Sequence, residues 1–219
     1  MYLSRMYLNN QRRQTRALLA NPQMMHAAVL SSFPPDSSAQ TEEGRVLWRI
    51  DRTREETALY VVSPSIPSFE HLQEQSGWAQ EPSWQTSDYS QMLNRITKGQ
   101  RYAFRLTANP VHTVTEEGKK RRVAHITAEH QLRWLIERQE QLGARIADDA
   151  GEPTASVNRS TRMVFNRNGR RVTIQQVTFD GVLEVTAADS LRLVLTSGLG
   201  KARGYGCGLL TLAPLKITS

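Results

Sequence analysis

Cysteine is almost absent from this chain. Its 219 residues hold one, Cys207, which excludes an intramolecular disulfide framework and a cysteine-cluster zinc site. No run of 18 apolar residues occurs, so no transmembrane helix and no membrane partner are expected. The N-terminus lacks the apolar core of a signal peptide, and a cytoplasmic location follows as the expectation. Acidic residues are missing from two stretches: none precedes Asp36, and none lies between Glu152 and Asp180. Asp and Glu nowhere cluster as a two-metal nuclease requires, and His71, His112, His125 and His130 have no metal-ligand spacing with carboxylates. Structural or surface roles are expected for those four, with no metal and no cofactor. The P-loop pattern Gly-x-x-x-x-Gly-Lys-Ser/Thr is absent, as is a convincing helix-turn-helix.

What is present is an uneven excess of positive charge. The formal net charge is +7. Residues 1–152 carry 19 Lys and Arg against 18 Asp and Glu; residues 153–219 carry 9 against 3. A basic excess confined to one third of the chain is the footprint of a polyanion binder.

Hydrophobic periodicity predicts an α+β chain. Residues 1–8 alternate as a strand. Asn21-Pro22 starts a helix that runs to about Phe33, before Pro34-Pro35. Two strands follow over 46–50 and 58–62, then a short helix over 69–75 and a fourth strand within 87–96. That order is a ferredoxin-like unit. The second half repeats it: a strand over 101–108, a loop over 109–122, a helix over 127–142, strands over 157–165 and 171–185, a helix opened by the capping-box pattern at Thr186, and a last strand over 208–215. Two tandem ferredoxin-like domains with antiparallel sheets are therefore expected, over 1–97 and 98–219.

Three constellations could carry chemistry. His26 lies about one turn into the Asn21-Pro22 helix, where an imidazole can be structural or can work as an acid or base near neutrality. Arg159, Arg162, Arg167, Arg170 and Arg171 surround Asn168-Gly169, a strong two-residue hairpin signal. Such an arm can grip nucleic acid, or its arginines can protect a sheet edge. The stretch Gly198-Leu199-Gly200-Lys201-Ala202-Arg203-Gly204-Tyr205-Gly206-Cys207-Gly208 sets Lys201 and Arg203 among five glycines, as a phosphate cradle or as a solvated basic loop. A further basic run, Lys119-Lys120-Arg121-Arg122, falls in the predicted loop.

The glycine-rich stretch, together with Met1-Tyr2-Leu3-Ser4, the segment Tyr102-Ala103-Phe104-Arg105-Leu106-Thr107-Ala108-Asn109-Pro110 and the run from Gly206 to Pro214, resembles the CRISPR RNA-processing endoribonucleases. The likeness is to their type I-E branch, the CasE subunit of the Cascade complex, and it spans nearly the whole chain. It implies that His26 is the catalytic residue. Some relatives have a tyrosine three residues earlier, where this chain has Gln23; glutamine transfers no proton but can orient a phosphate oxygen. It implies that the five arginines, the run Lys119 to Arg122, Lys201, Arg203 and the glycines Gly198, Gly200, Gly204 and Gly206 serve RNA.

The function so implied is metal-independent cleavage of CRISPR repeat RNA at the base of its stem-loop, leaving 2′,3′-cyclic phosphate and 5′-hydroxyl ends. The enzyme then stays on the crRNA 3′ hairpin beside other Cascade subunits, the backbone subunit above all. A helix dipole and nearby cations are expected to keep His26 neutral and able to accept the 2′-hydroxyl proton. The alternative is a non-catalytic RNA-hairpin-binding module, although the aromatic signature of RRM domains is missing.

Overall fold

The computed structural model describes residues 1–79, 82–116 and 118–215. Strand β1 (Tyr2–Tyr7) leads into helices α1 (Arg13–Ala20) and α2 (Pro22–Leu30). Then come strands β2 (Leu47–Arg52) and β3 (Thr57–Ser63), helix α3 (Glu70–Ser76), strand β4 (Trp84–Asp88) and helix α4 (Ser90–Asn94). The strands form one antiparallel sheet in the order β2-β3-β1-β4.

Strand β5 (Arg101–Ala108) opens the second half, followed by β6 (Val111–Glu116), β7 (Lys119–Ala124), and helices α5 (Ala128–Ile136) and α6 (Gln139–Leu142). After β8 (Ala144–Ile146) and the two-residue strands β9 (Asp148–Asp149) and β10 (Glu152–Pro153) come β11 (Ser156–Arg167), β12 (Arg170–Val185), helix α7 (Ala188–Ser197) and β13 (Leu210–Ala213). The second antiparallel sheet runs β11-β12-β5-β13, with β8 also paired to β12. The chain is thus two tandem ferredoxin-like folds. Residues 216–219 of the expected second domain lie outside the described residues.

Several expected elements differ. The strand expected within 87–96 is β4, ending at Asp88, followed by α4. The Asp88 carboxylate accepts from Ser90 N at 2.9 Å as the chain leaves the strand, and Leu93 of that helix enters the core with Tyr89 and Ile96 on either side of it. The expected loop over 109–122 is the β6–β7 hairpin, in which Glu116 stands opposite Lys119 and pairs with Arg121. Alternation in this stretch was hidden by its charge. Helix 127–142 breaks between Ile136 and Gln139, where Arg138 folds back: Nη1 donates to Trp134 O at 2.7 Å and the guanidinium lies 4.1 Å from the Trp134 ring centre. Ala187, not Thr186, precedes α7, with no side-chain cap. Helix α1 was not expected; it buries only Thr15 and Leu18.

Strand β2 divides the core by alternation. Val46 and Trp48 point under the helices with Met6, Leu18, Met25, Val29 and Phe69. Leu47 points the other way, into a cluster shared with Phe104, Leu106, Leu195 and Leu199 of the second half. Arg49 follows Leu47 into that seam and is 2% exposed. Its Nε and Nη2 donate to the two Asp51 carboxylate oxygens at 2.6 and 2.9 Å. Nη1 donates to the carbonyls of Arg105 and Leu209 at 2.9 and 3.2 Å, and Nη2 also to Thr211 Oγ1 at 2.9 Å. One guanidinium from the first sheet thus satisfies acceptors on β5, on β13 and just before it. Replacing one partner of a buried pair leaves the other charge stranded. Arg49→Ala is expected to lower stability by about 3–5 kcal/mol in urea unfolding; a drop below about 1 kcal/mol, the scale of an exposed ion pair, contradicts this account of the seam.

Candidate active site and nucleic-acid interface

Helix α2 begins where expected. The Asn21 side chain accepts from Gln23 N at 3.0 Å and Met24 N at 3.3 Å, and Pro22 occupies the first helical position. Met25 and Val29 anchor the helix in the core. His26 and, one turn before it, Gln23 are half-buried on its flank. Trp48 reaches His26 from β2: its indole N–H donates to His26 Nδ1 at 3.3 Å. An imidazole that accepts at Nδ1 carries its neutral-form proton on Nε2. The charged form would set two N–H groups against each other. His26 is held below the usual histidine range, first by burial and then by Arg45 and Arg167. The neutral ring was expected; its leading cause is burial, not the helix terminus.

The glycine-rich loop closes over this pair. A Cβ on Gly206, whose φ is +75°, would lie 2.6 Å from Trp48 Cζ3, and a Cβ on Gly204 would lie 3.3 Å from His26 Nε2. Side chains at either position would push the loop off the imidazole. Gly198 and Gly200 likewise face Leu47 and Trp134. Each of the four glycines singled out in the sequence therefore meets a side chain of the protein itself. Lys201 and Arg203 line an opening of about 300 Å³ with Arg45 and Gly204. The Nε atoms of Arg45 and Arg203 are buried with no hydrogen-bond partner among the described residues.

The basic arm forms as its sequence predicts. Asn168 and Gly169 have φ of +49° and +75°, as a two-residue turn with both central residues left-handed requires. Alternation splits the five arginines. Arg159, Arg167 and, through its pairing with Arg167, Arg170 share one face with Met163 and Phe165; Arg162 and Arg171 occupy the opposite face. The first face docks on the loop: Arg167 Nη1 donates to Tyr205 Oη at 3.0 Å, and Phe165 meets the Tyr205 ring edge-on at 4.8 Å. Arg159 lines a cavity of about 150 Å³ with Trp48, Arg52 and Gly206. Lys119, Lys120, Arg121 and Arg122 are exposed on the separate β6–β7 arm. Cys207 is fully buried between the arm and the loop, and burial pushes its thiol up to about 12.

The structure therefore gathers His26, Arg167, Arg203, Gly204 and Gly206, and turns Arg162 and Arg171 to the other face of the arm; of the Lys119–Arg122 run, Arg122 lines a groove with Lys201 and Arg203. Trp48, Arg45 and Tyr205 were missed. Trp48 had a usable signal, because strand alternation turns it toward the helices. Arg45, just outside the strand, had none. Trp48→Phe removes the donor that penalises a charged imidazole. It is expected to raise the His26 pKa, followed by NMR, so that protonation sets in at higher pH as pH falls. An unchanged titration contradicts the hydrogen bond.

A sequence family described as CRISPR associated protein has a profile that matches residues 1–214. The CRISPR-associated endoribonuclease Cse3 of Thermus thermophilus is 30% identical over 230 aligned residues, covering 98% of this chain and 100% of that protein. The CRISPR system Cascade subunit CasE of Escherichia coli is 34% identical over 121 residues, 51% of this chain and 57% of its own. The structure of Thermus thermophilus Cse3 bound to an RNA representing a pre-cleavage complex superposes with a TM-score of 0.79 at 28% identity, over 97% of this chain and 98% of that one. With its fold, its sequence profile and a full-length relative in agreement, the chain belongs to the CRISPR-associated protein family of these endoribonucleases.

Proposed function

We propose that this chain is a cytoplasmic endoribonuclease that cuts CRISPR repeat RNA at the base of its stem-loop and stays on the 3′ hairpin as a Cascade subunit. The observation that carries the reading is the position of His26, lodged where α2, β2, the glycine loop and the basic arm meet, in a chain whose full-length relative is named an endoribonuclease. Residues 1–97 supply the imidazole, and residues 98–219 the arm and loop.

The reaction needs no metal, because RNA carries its own nucleophile. The 2′-hydroxyl oxygen attacks the adjacent phosphorus, the bond from phosphorus to the 5′ oxygen breaks, and the products are a 2′,3′-cyclic phosphate and a 5′-hydroxyl. The 2′-hydroxyl proton passes to water and the leaving 5′ oxygen takes its proton from water, so the step consumes no net proton. Arg45, Arg167, Lys201 and Arg203 supply fixed positive charge for the pentacoordinate phosphorus, the kind of stabilisation that acts most strongly where water is excluded. With its proton on Nε2, neutral His26 serves as a hydrogen-bond donor to the phosphate or leaving oxygen, in place of the base expected from sequence. Gln23, one turn earlier, offers its amide to a phosphate oxygen.

The arm arginines Arg159, Arg162, Arg167, Arg170 and Arg171 grip the stem, since an A-form helix is read through shape and phosphates. The non-catalytic reading rests on Gln23, which replaces the tyrosine of some relatives. Incubation with the repeat RNA of its own locus in EDTA separates the two. Cleavage with cyclic-phosphate ends is expected, and an intact RNA bound tightly supports the binding module.

His26→Ala is expected to slow single-turnover cleavage by about 10²–10³-fold, the loss for one hydrogen-bond donor to the transition state, with RNA affinity close to wild type. Cleavage at the wild-type rate removes His26 from the reaction. Replacing Arg167 and Arg170 by Ala is expected to weaken stem-loop binding and to flatten its salt dependence by roughly 0.7–0.9 for each phosphate no longer neutralised. Unchanged affinity and slope remove the arm from the interface.

A further inference from the structure

Against the glycine loop lies a groove of about 460 Å³ whose lining, apart from Lys201 and Arg203, has no part in the cleavage chemistry. The β6–β7 arm, helix α5 and the loop enclose it. Among the described residues its walls carry Arg122, Arg138, Lys201 and Arg203 against one acid, Glu137. Two imidazoles stand at its edge: His112 and His125 have ring centres 4.6 Å apart with planes 35° apart, and His130 lies 6.0 Å beyond His125. Among the described residues no histidine and carboxylate group could hold a metal ion. Burial first, then His112 and His130, hold His125 below the usual histidine range, which favours a flat neutral ring over a further cation.

Trp134 lines the same groove, is 2% exposed, and has no hydrogen-bond partner for its indole N–H among the described residues. Gly200 presses on the ring beside that N–H, with a Cβ position 3.1 Å from Cζ2. Arg203 Nε, on the same wall, is also buried and unpartnered. Unused buried donors beside a basic groove are what an absent acceptor leaves behind.

We propose that this groove is a second RNA subsite, which takes an unpaired strand flanking the stem-loop. The proposal rests on the endoribonuclease reading above. Lys201 and Arg203 face both this groove and the opening beside Arg45 and Gly204, so the groove continues from the His26 site across the loop. A strand leaving the stem at His26 therefore crosses the loop, sets phosphates on Arg122, Lys201 and Arg203, and lays a base on the His112–His125 pair. Its volume falls within the roughly 300–1,000 Å³ of small-ligand sites, enough for a nucleotide and not for a duplex. Stacking on rings beside cations is how single strands are held without a duplex partner.

Binding of the full chain to three forms of its repeat RNA tests this: the stem-loop alone, with its 5′ flank, and with its 3′ flank, each blocked by a 2′-deoxy residue at the cleavage site. One flank is expected to tighten binding about 5- to 150-fold, the range for a stacked base, and the responsive flank identifies the strand. Replacing His112 and Arg122 together by Ala abolishes that gain, read as the ratio to the same variant's affinity for the bare stem-loop. Arg122→Ala alone, exposed on the arm, reduces the gain and guards against misfolding of the double variant. A wild type indifferent to both flanks, or a double variant that keeps the whole gain, overturns the subsite while the endoribonuclease reading stands. Failure to bind even the bare stem-loop overturns both.

Discussion

The buried guanidinium of Arg49 ties the two ferredoxin-like folds into one site. It projects from β2 into the seam, 2% exposed, and bonds to the carbonyls of Arg105 and Leu209 and to Thr211. A buried cation is costly unless every donor is met, so its neighbours are constrained in turn. Asp51 neutralises it and is shared with Arg105, which pairs with Asp180 on β12 at 2.6 Å. The chain of charges runs from the first sheet across the seam into the strand that carries the basic arm. Register along β2 is thereby held against register along β5 and β13.

That register decides the chemistry one residue away. Trp48 precedes Arg49 and points to the opposite face, toward α2. If β2 slipped against the second half, the indole would lose His26 and the glycine loop would lose its bed on Trp48. Three influences on His26 act in one direction. Burial disfavours its charge, Arg45 and Arg167 disfavour it further, and the Trp48 N–H occupies the nitrogen that a second proton would need. The ring is thus kept neutral with Nε2 toward Gly204. A cleft that must hold a phosphate is already rich in cations, and a further one at His26 would forgo the uncharged donor.

Much of this was legible in the residues. The alternation of β1, β2, β3 and β5, the Asn21-Pro22 start of α2 and the Asn168-Gly169 turn are local signals, and each produced the expected element. The β6–β7 hairpin was hidden because Lys119 to Arg122 reads as a solvated run; what forms the strand is its pairing with Val111 to Glu116. At the site, His26, Arg167 and Arg203 were visible as residue types, but the neighbours that tune them were not. Arg45 and Tyr205 approach the loop and arm through tertiary packing, at sequence separations that no periodicity reports. The five arginines looked equivalent in sequence. Strand alternation, together with the bulge between Val157 and Arg159, sorts them onto two faces.

The claim on which the site depends is that His26 is neutral with its proton on Nε2, held there by Trp48. Nitrogen NMR of the wild-type chain labelled at histidine measures this directly. At neutral pH the His26 signal is predicted to show an unprotonated Nδ1 and a protonated Nε2. A ring protonated on Nδ1, or charged on both nitrogens at that pH, would contradict the account.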